Sequence, residues 1–157
     1  MDDEEQMKTT LEICADCNLP KRDFPAGETI MVEAEKSDTL LVLVSGKVEV
    51  VKQKVELNRI SSPGSVFGEI AVLLDSAHTA DVKTVEGCTF YVVENARDFL
   101  RSNPDFNYHV SALLARRLES LSGYLVDVKK QYASHEDHLG MVDEVLESLL
   151  HQQPRNR

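Results

Sequence analysis

The sequence predicts a mainly β domain, a small barrel or sandwich, followed by helices at its C-terminal end. Two changes of pattern along the chain predict this class. Between Phe24 and Val93, short apolar runs rich in Val, Ile, Leu and Thr alternate with glycines at spacings typical of successive strands and turns. Beyond Val93 the apolar period changes from two residues to about 3.6, the period of an α-helix.

The strand region is clearest in TLLVLVSGKVEVVKQ, where two strands meet at SGK. In the second of these strands Val48 and Val50 alternate with Lys47 and Glu49, as in a strand with one buried face. The segments VELNRI, ADVKTVEG and TFYVVE continue the series. Many short strands separated by glycine turns favour a barrel or sandwich.

The helical region begins with a start signal at Asn103 and Pro104, a capping side chain followed by proline at the first helical position. Apolar residues then recur at intervals of four and three, which is a heptad seam. They are Leu114, Leu118, Leu121, Leu125, Val128 and Tyr132. This stripe either covers the barrel or packs against a partner helix, and its far half is the better candidate for a dimer contact. Ser134 and Asp137 have capping-box spacing and predict a second helix. Its apolar face would hold Leu139, Val142, Leu146 and Leu149.

Length and charge limit the organisation and the partners. A chain of 157 residues is the length of one globular domain. We expect an acidic N-terminal segment over 1–23, a domain over 24–132, and a helix with a polar tail over 133–157. A formal net charge of −10 has the wrong sign for a nucleic-acid-binding protein. No apolar run is long enough for a membrane span, and we expect a cytoplasmic protein without a membrane contact.

The remaining chemistry-bearing residues indicate neither an enzyme nor a metal site. Cys14 and Cys17 form CADC, a spacing found in redox pairs and in half of a zinc site. No second pair accompanies it, and we expect a reduced pair in a short N-terminal segment. His135 and His138 in HEDH lack further ligands, and a solvated helix end is the simpler interpretation. The strand region contains one histidine, His78, whereas a barrel oxygenase needs two or three with a carboxylate. We therefore expect no catalytic residue, no metal and no cofactor.

Three segments carry a resemblance to a known family. They are FPAGETIMVEAEKSDTLLVLVSGKVEV, PGSVFGEIAVLL and LLARRLESLSGYL. Together they resemble the cyclic nucleotide-binding domain of the bacterial catabolite-activator type and of cyclic-nucleotide-regulated kinases and channels. The resemblance runs from about Phe24 to about Tyr132. It implies a double-stranded β-helix, or jelly-roll barrel, followed by a lid and dimerisation helix and one further helix.

The segment FGE resembles the opening of this family's phosphate-binding cassette. The resemblance implies that Glu69 accepts a hydrogen bond from the ribose 2′-hydroxyl, as an ionised carboxylate does well. Gly68 would let the backbone approach the ligand. The amides of Ile70 and Ala71 would open a short helix whose N-terminus favours an anion.

The phosphate position departs from the family pattern. The family's arginine falls nine residues after the glutamate, where this sequence has His78. A neutral imidazole has one donor and no charge, so we expect weaker phosphate binding that strengthens as the pH falls. Thr79 and the Ala80 amide match the remaining phosphate contacts, while Asp81 adds a negative charge unless it points outward. The other interpretation of His78 is that the arginine has been lost and the pocket binds something else or nothing.

The lid helix offers further candidate ligand contacts. On the same resemblance Arg117, Leu121 and Ser122 lie near the positions that touch the purine. The alternative is that they serve surface and dimer packing.

These observations predict a stand-alone regulatory module, without a DNA-binding domain, that senses cyclic AMP or cyclic GMP. We expect a homodimer formed through residues 110–150, acting on a protein effector by conformational change. The alternative is a ligand-independent dimerisation or interaction module with a vestigial pocket.

Overall fold

The structure is a computed structural model, and it describes residues 8–131 and 136–150. The described strands are β1 (Lys21–Phe24), β2 (Thr29–Met31), β3 (Leu40–Ser45), β4 (Val48–Lys52), β5 (Val55–Ile60), β6 (Val66–Phe67), β7 (Asp81–Thr84) and β8 (Cys88–Val93). The described helices are α1 (Thr10–Asp16), α2 (Glu69–Leu74), α3 (Ala96–Ser102), α4 (Pro104–Gln131) and α5 (Glu136–Leu150). No helix among these is long and apolar enough to cross a membrane.

The strands form two antiparallel four-stranded sheets, in the orders β1-β8-β3-β6 and β2-β7-β4-β5. The predicted class, a mainly β domain with C-terminal helices, is confirmed. The two strands that meet at SGK are not paired with each other, because β3 is paired on both sides, with β8 and β6. The turn therefore carries the chain from one sheet to the other. Gly46 in this turn has φ +105°, and a Cβ there would meet the thiol of Cys88.

The core lies between the two sheets and is formed by apolar side chains of both. Its buried members are Phe24, Met31, Leu41, Leu43, Val48, Phe67, Val82, Cys88, Phe90 and Val92. Phe90 packs edge to face against Phe24 and Phe67, with ring centroids 5.6 and 6.0 Å apart. Four of these core residues, Phe24, Met31, Leu41 and Val92, also line the candidate site.

A buried threonine joins the turn after β1 to strand β7. Thr84 is 1 % exposed, and its hydroxyl donates to the Pro25 carbonyl at 2.6 Å. The same oxygen accepts from the Glu28 amide at 2.9 Å. Both partners are backbone groups of the turn, so the Thr84 hydroxyl ties this turn to β7.

The N-terminal segment contains a short helix, α1. Helix α1 begins after a capping box, in which the Thr9 hydroxyl accepts from the Glu12 amide and the Glu12 carboxylate accepts from the Thr9 amide. Ile13 and Cys14 are buried on its inner face. Strand β1 then starts at Lys21, three residues before the position from which the strand region was expected.

The chain divides into two compact units, Met1–Val110 and Ser111–Arg157. Helix α4 begins at Pro104 as its start signal predicts, and Phe106 and Val110 are buried in the first unit. In the second unit Lys129 on α4 and Asp143 on α5 form an ion pair.

The apolar stripes of the second unit are only partly covered. On α5, Val142, Leu146 and Leu149 are half-buried, as expected of one inner face. On α4, Leu118 is 39 % and Leu121 is 45 % exposed. The other described members of the heptad seam, Leu114, Leu125 and Val128, are half-buried. Tyr132 and Ser134, which were expected to extend the seam and cap α5, lie outside the described residues.

Candidate functional site

A cavity of about 250 Å³ opens in the first unit beside the predicted phosphate position. This volume approaches the range of about 300–1,000 Å³ typical of small-molecule sites. Its lining residues are Arg22, Phe24, Ile30, Met31, Glu35, Lys36, Ser37, Thr39, Leu41, His78, Val92 and Glu94. An apolar floor with a few convergent polar groups is the usual composition of a site for a small organic ligand.

Three charged side chains around the cavity, those of Arg22, Lys36 and Glu94, have partners on the protein. Lys36 pairs with Asp75 at 3.3 Å, and the Thr39 hydroxyl donates to the Glu94 carboxylate at 3.1 Å. The Arg22 guanidinium lies 5.0 Å from the centre of the Phe24 ring. A ligand with an anionic group would therefore compete with existing contacts for the two cations.

His78 is the buried imidazole of the cavity, at 7 % exposure. Its Nε2 lies 2.7 Å from the Ser37 hydroxyl oxygen. Its backbone is fixed to the loop before β3, since its carbonyl accepts from the Ala34 amide and its amide donates to the Glu35 carbonyl. The imidazole and Ser37 are thus held together by side-chain and backbone bonds.

Burial lowers the pKa of His78 below its usual value of 6.5, and the charges of Glu35 and Glu69 oppose this shift without cancelling it. Since the pKa lies below 6.5, the imidazole is mainly neutral at pH 7. A neutral imidazole has one N–H donor. An anion bound beside it would therefore have to draw a proton onto the ring to gain a charged partner.

Glu69 opens helix α2 directly after Gly68, and its side chain is 6 % exposed. Gly68 has φ +93°, a conformation that suits glycine, and it precedes the first helical residue. A Cβ at Gly68 would lie 2.8 Å from the Thr39 carbonyl oxygen, so the backbone passes very close to the rim of the cavity. The fold therefore brings Glu69 close enough to His78 to influence its pKa.

The other predicted cassette residues have different environments. Ala71 is 3 % exposed, whereas Ile70 is 38 % exposed. Thr79 is exposed and Ala80 is half-buried, and both immediately precede β7. Asp81 is not among the residues that line the cavity, and its carboxylate accepts from the Glu33 amide at 2.6 Å.

The residues predicted to touch the purine lie on the part of α4 that belongs to the second unit. Arg117 and Leu121 are exposed there, and Ser122 is half-buried. The Ser122 hydroxyl oxygen is buried and has no hydrogen-bond partner among the described residues. The described lining of the cavity belongs to the first unit. A role of these three residues in ligand binding stays a prediction.

Several lining residues were not identified from the sequence, above all Ser37 and Lys36. Both stand in a polar loop, where serine and lysine are ordinary surface residues. Only the pairing of this loop with residue 78 brings them to the cavity. No group of three or more described His, Cys, Asp or Glu side chains is arranged to hold a metal ion.

Comparison with known proteins identifies the family of this domain. The profile of the cyclic nucleotide-binding domain matches residues 21–101. The CRP-like cAMP-activated global transcriptional regulator of Mycobacterium tuberculosis is 31 % identical over 114 residues, which is 68 % of this chain and 50 % of that protein. The chain thus spans about half the length of this curated relative.

Solved structures show the same fold. A structure of Sp-2Cl-cAMPS bound to PKAR CBD2 matches with a TM-score of 0.58 and 25 % identity, over 74 % of this chain and 75 % of that one. The catabolite activator protein of Thermus thermophilus matches with a TM-score of 0.62 and 23 % identity, over 80 % of this chain and 59 % of that one. Since the profile match covers more than half of the residues and frames both Glu69 and His78, the chain belongs to the cyclic nucleotide-binding domain family.

Proposed function

We propose that this chain is a regulatory sensor that binds cyclic AMP or cyclic GMP in the 250 Å³ cavity and signals to a protein effector by conformational change. The observation that carries the proposal is that two predicted site residues, Glu69 and His78, are both buried, that the charge of Glu69 acts on His78, and that His78 lines this cavity. Glu69 accepts from the ribose 2′-hydroxyl, and His78, Thr79 and the Ala80 amide hold the cyclic phosphate.

The contacts of His78 define how the phosphate would enter. The phosphate replaces Ser37 as the partner of Nε2 or joins it, and its charge stabilises the protonated ring. Binding then takes up a proton, because the free imidazole is mainly neutral at pH 7. Affinity therefore rises as the pH falls from 8 toward 6. Glu35 and Glu69 also favour the protonated ring, and they assist this proton uptake.

One carboxylate at the end of α2 links the cavity to α3 and could carry the conformational signal away from the ligand. Asp75 pairs with Lys36, which borders the cavity, and with Arg97 of α3 at 3.0 Å. These two cations, Lys36 first, hold the pKa of Asp75 below its usual value. The Arg97 guanidinium also donates to the Val72 carbonyl at 3.2 Å. A ligand that draws Lys36 toward a phosphate would weaken one side of this network and change how α2 is held against α3.

Calorimetric titration with cyclic AMP and cyclic GMP, each at pH 6 and pH 8, tests the proposal. We expect binding that is tighter at pH 6 and that is lost in Glu69→Gln, which keeps the volume of the side chain. His78→Arg should bind more tightly and depend less on pH, because a guanidinium is always charged. Glu56→Gln, on the exposed strand β5, is the matched control and should bind like the parent. Binding that Glu69→Gln leaves unchanged would contradict the assignment of the site.

The alternative function is a ligand-independent dimerisation module with a vestigial pocket. It is favoured by the Ser37–His78 contact, which satisfies the imidazole without a ligand. Titrations in which neither nucleotide binds at either pH, with circular dichroism that reports a folded protein, would favour this alternative.

For either function we propose a homodimer through residues 110–150. The support is the apolar surface left on α4, where Leu118, Leu121 and Tyr124 are 39 %, 45 % and 65 % exposed. Analytical ultracentrifugation should give a dimer that Leu121→Glu dissociates. Val55→Glu, at a 61 % exposed position of β5, should leave the dimer intact. A dimer that survives Leu121→Glu would contradict this interface.

We further propose that the module is cytoplasmic, non-catalytic and without a nucleic-acid partner. The three cysteines are free thiols, which suits a reducing compartment. The net charge of −10 opposes binding to a polyphosphate backbone.

A further inference from the structure

The two cysteines of CADC stand at the end of α1 in contrasting environments. Cys14 is 0 % exposed on the inner face of the helix, whereas Cys17, the C-terminal capping residue, is exposed. Burial, followed by the influence of Cys17, raises the pKa of Cys14 to about 12. A buried thiol of this kind is inert toward external reagents, while an exposed thiol is open to them.

Cys17 makes a contact far along the chain. Its thiol donates to the Asn103 side-chain oxygen at 3.6 Å, which is within the range for sulfur. Asn103 is the single residue between α3 and α4, and its amide nitrogen donates to the Phe99 carbonyl at 2.9 Å. Cys17 and Asn103 also line a cavity of about 160 Å³ that opens beside the thiol. A small reagent can therefore reach the sulfur where it contacts the residue that joins α3 and α4.

We propose that Cys14 and Cys17 are a peroxide-sensitive dithiol pair, which closes to a disulfide and releases Asn103 from the Cys17 thiol. Residues three apart on a helix have Cβ atoms about 5–6 Å apart. A disulfide needs about 3.5–4.5 Å, so closure requires a modest local contraction. Cys17 can supply it, since its backbone has already left the helix and Asn18 beyond it has φ +53°.

The chemistry uses a hydroperoxide as the oxidant and balances as two steps. The Cys17 thiolate attacks one peroxide oxygen, the O–O bond breaks, and the leaving hydroxide takes up a proton as water, which leaves a sulfenic acid on Cys17. The Cys14 sulfur then attacks the Cys17 sulfur. The S–S bond forms, the S–O bond breaks, and the hydroxyl leaves as water with the proton of Cys14. Two thiols are oxidised and one peroxide is reduced.

The roles of the two cysteines follow from their burial. Cys17 is the residue that peroxide reaches, and Cys14 resolves the sulfenic acid because it lies three residues earlier, in the helix that Cys17 caps. Cys88 is the internal comparison, since it is buried and its thiol donates to the Lys47 and Glu86 carbonyls. It is the single cysteine between Phe24 and Val93, and we expect it to stay reduced.

Thiol counting on the full chain tests the pair. The protein is treated with hydrogen peroxide, unfolded in acid and alkylated with N-ethylmaleimide, and its intact mass is measured. The reduced chain should take up three labels and the oxidised chain one, and Cys88→Ala should likewise lose two labels. Cys17→Ser should lose none, and Cys14→Ala should stop at an oxygen adduct on Cys17. Three labels after peroxide, or a disulfide between two chains, would overturn the proposal.

The release of Asn103 has its own readout. Amide hydrogen exchange of a peptide over residues 99–107 should be faster in the oxidised chain than in the reduced one, while a peptide over β3 should be unchanged. An intramolecular disulfide with unchanged exchange at 99–107 would overturn the link to the α3–α4 junction. Neither readout uses a nucleotide, so the result is independent of the proposed function.

Discussion

Gly68→Ala should destabilise the first unit, and the expected loss in the free energy of unfolding follows from two features of the structure. Gly68 has φ +93°, which costs a residue with a Cβ about 1–2 kcal/mol. The new Cβ would also lie 2.8 Å from the Met31 methyl carbon and 2.8 Å from the Thr39 carbonyl oxygen. The methionine can move, but the carbonyl belongs to the backbone. Forcing a methyl group into such a space costs about 1–3 kcal/mol, and the sum is a loss of about 2–5 kcal/mol.

Equilibrium urea unfolding followed by circular dichroism measures this loss. Gly123→Ala is the matched control, because Gly123 lies in α4 and nothing stands within 4 Å of its added Cβ. There the same substitution should stabilise the helix by about 0.5–1 kcal/mol. If Gly68→Ala unfolds within about 0.5 kcal/mol of the parent, the tight approach of this backbone to Thr39 is refuted, and with it the account of the cavity rim.

Three further predictions concern polar groups of the first unit. Thr84→Val should cost about 1–3 kcal/mol in urea unfolding because it removes a buried hydroxyl that binds two backbone groups, whereas Thr89→Val, at a half-buried position, should cost less than about 1 kcal/mol. Asp38→Ala removes the acceptor of the Arg97 amide at the start of α3, and the same assay should give a loss of about 1 kcal/mol. The lowered pKa of His78 means that the unfolded chain binds a proton at this residue more readily than the folded chain does. The contribution of His78 to the free energy of unfolding is therefore fully present above pH 6.5, and it is lost as the pH falls through the folded-state pKa. The stability difference between pH 7.5 and pH 5.5 should therefore be smaller in His78→Gln, and an equal difference would contradict the lowered pKa.

The sequence by itself determined the fold class and the positions of most strands. The alternation of valines in Val48–Lys52 has the two-residue period of a strand. The run Val55–Ile60 continues the series of strands. Asn103 and Pro104 likewise marked the start of α4, because a capping side chain and a fixed φ act locally. Such signals depend on neighbours in the chain, and they can be identified without knowing the fold.

What only the tertiary structure decided is which distant residues meet. The partners of β3 come from β6 and β8 and not from the strand that follows it, since both of its edges are taken by residues more than twenty positions away. Ser37 likewise meets a residue 41 positions away, His78, because backbone hydrogen bonds join their two loops. The sequence named His78 and Glu69 as ligand groups through a resemblance, but their burial, the pKa of the imidazole and the partner of Cys17 depend on the packing of separate segments, which no local pattern encodes.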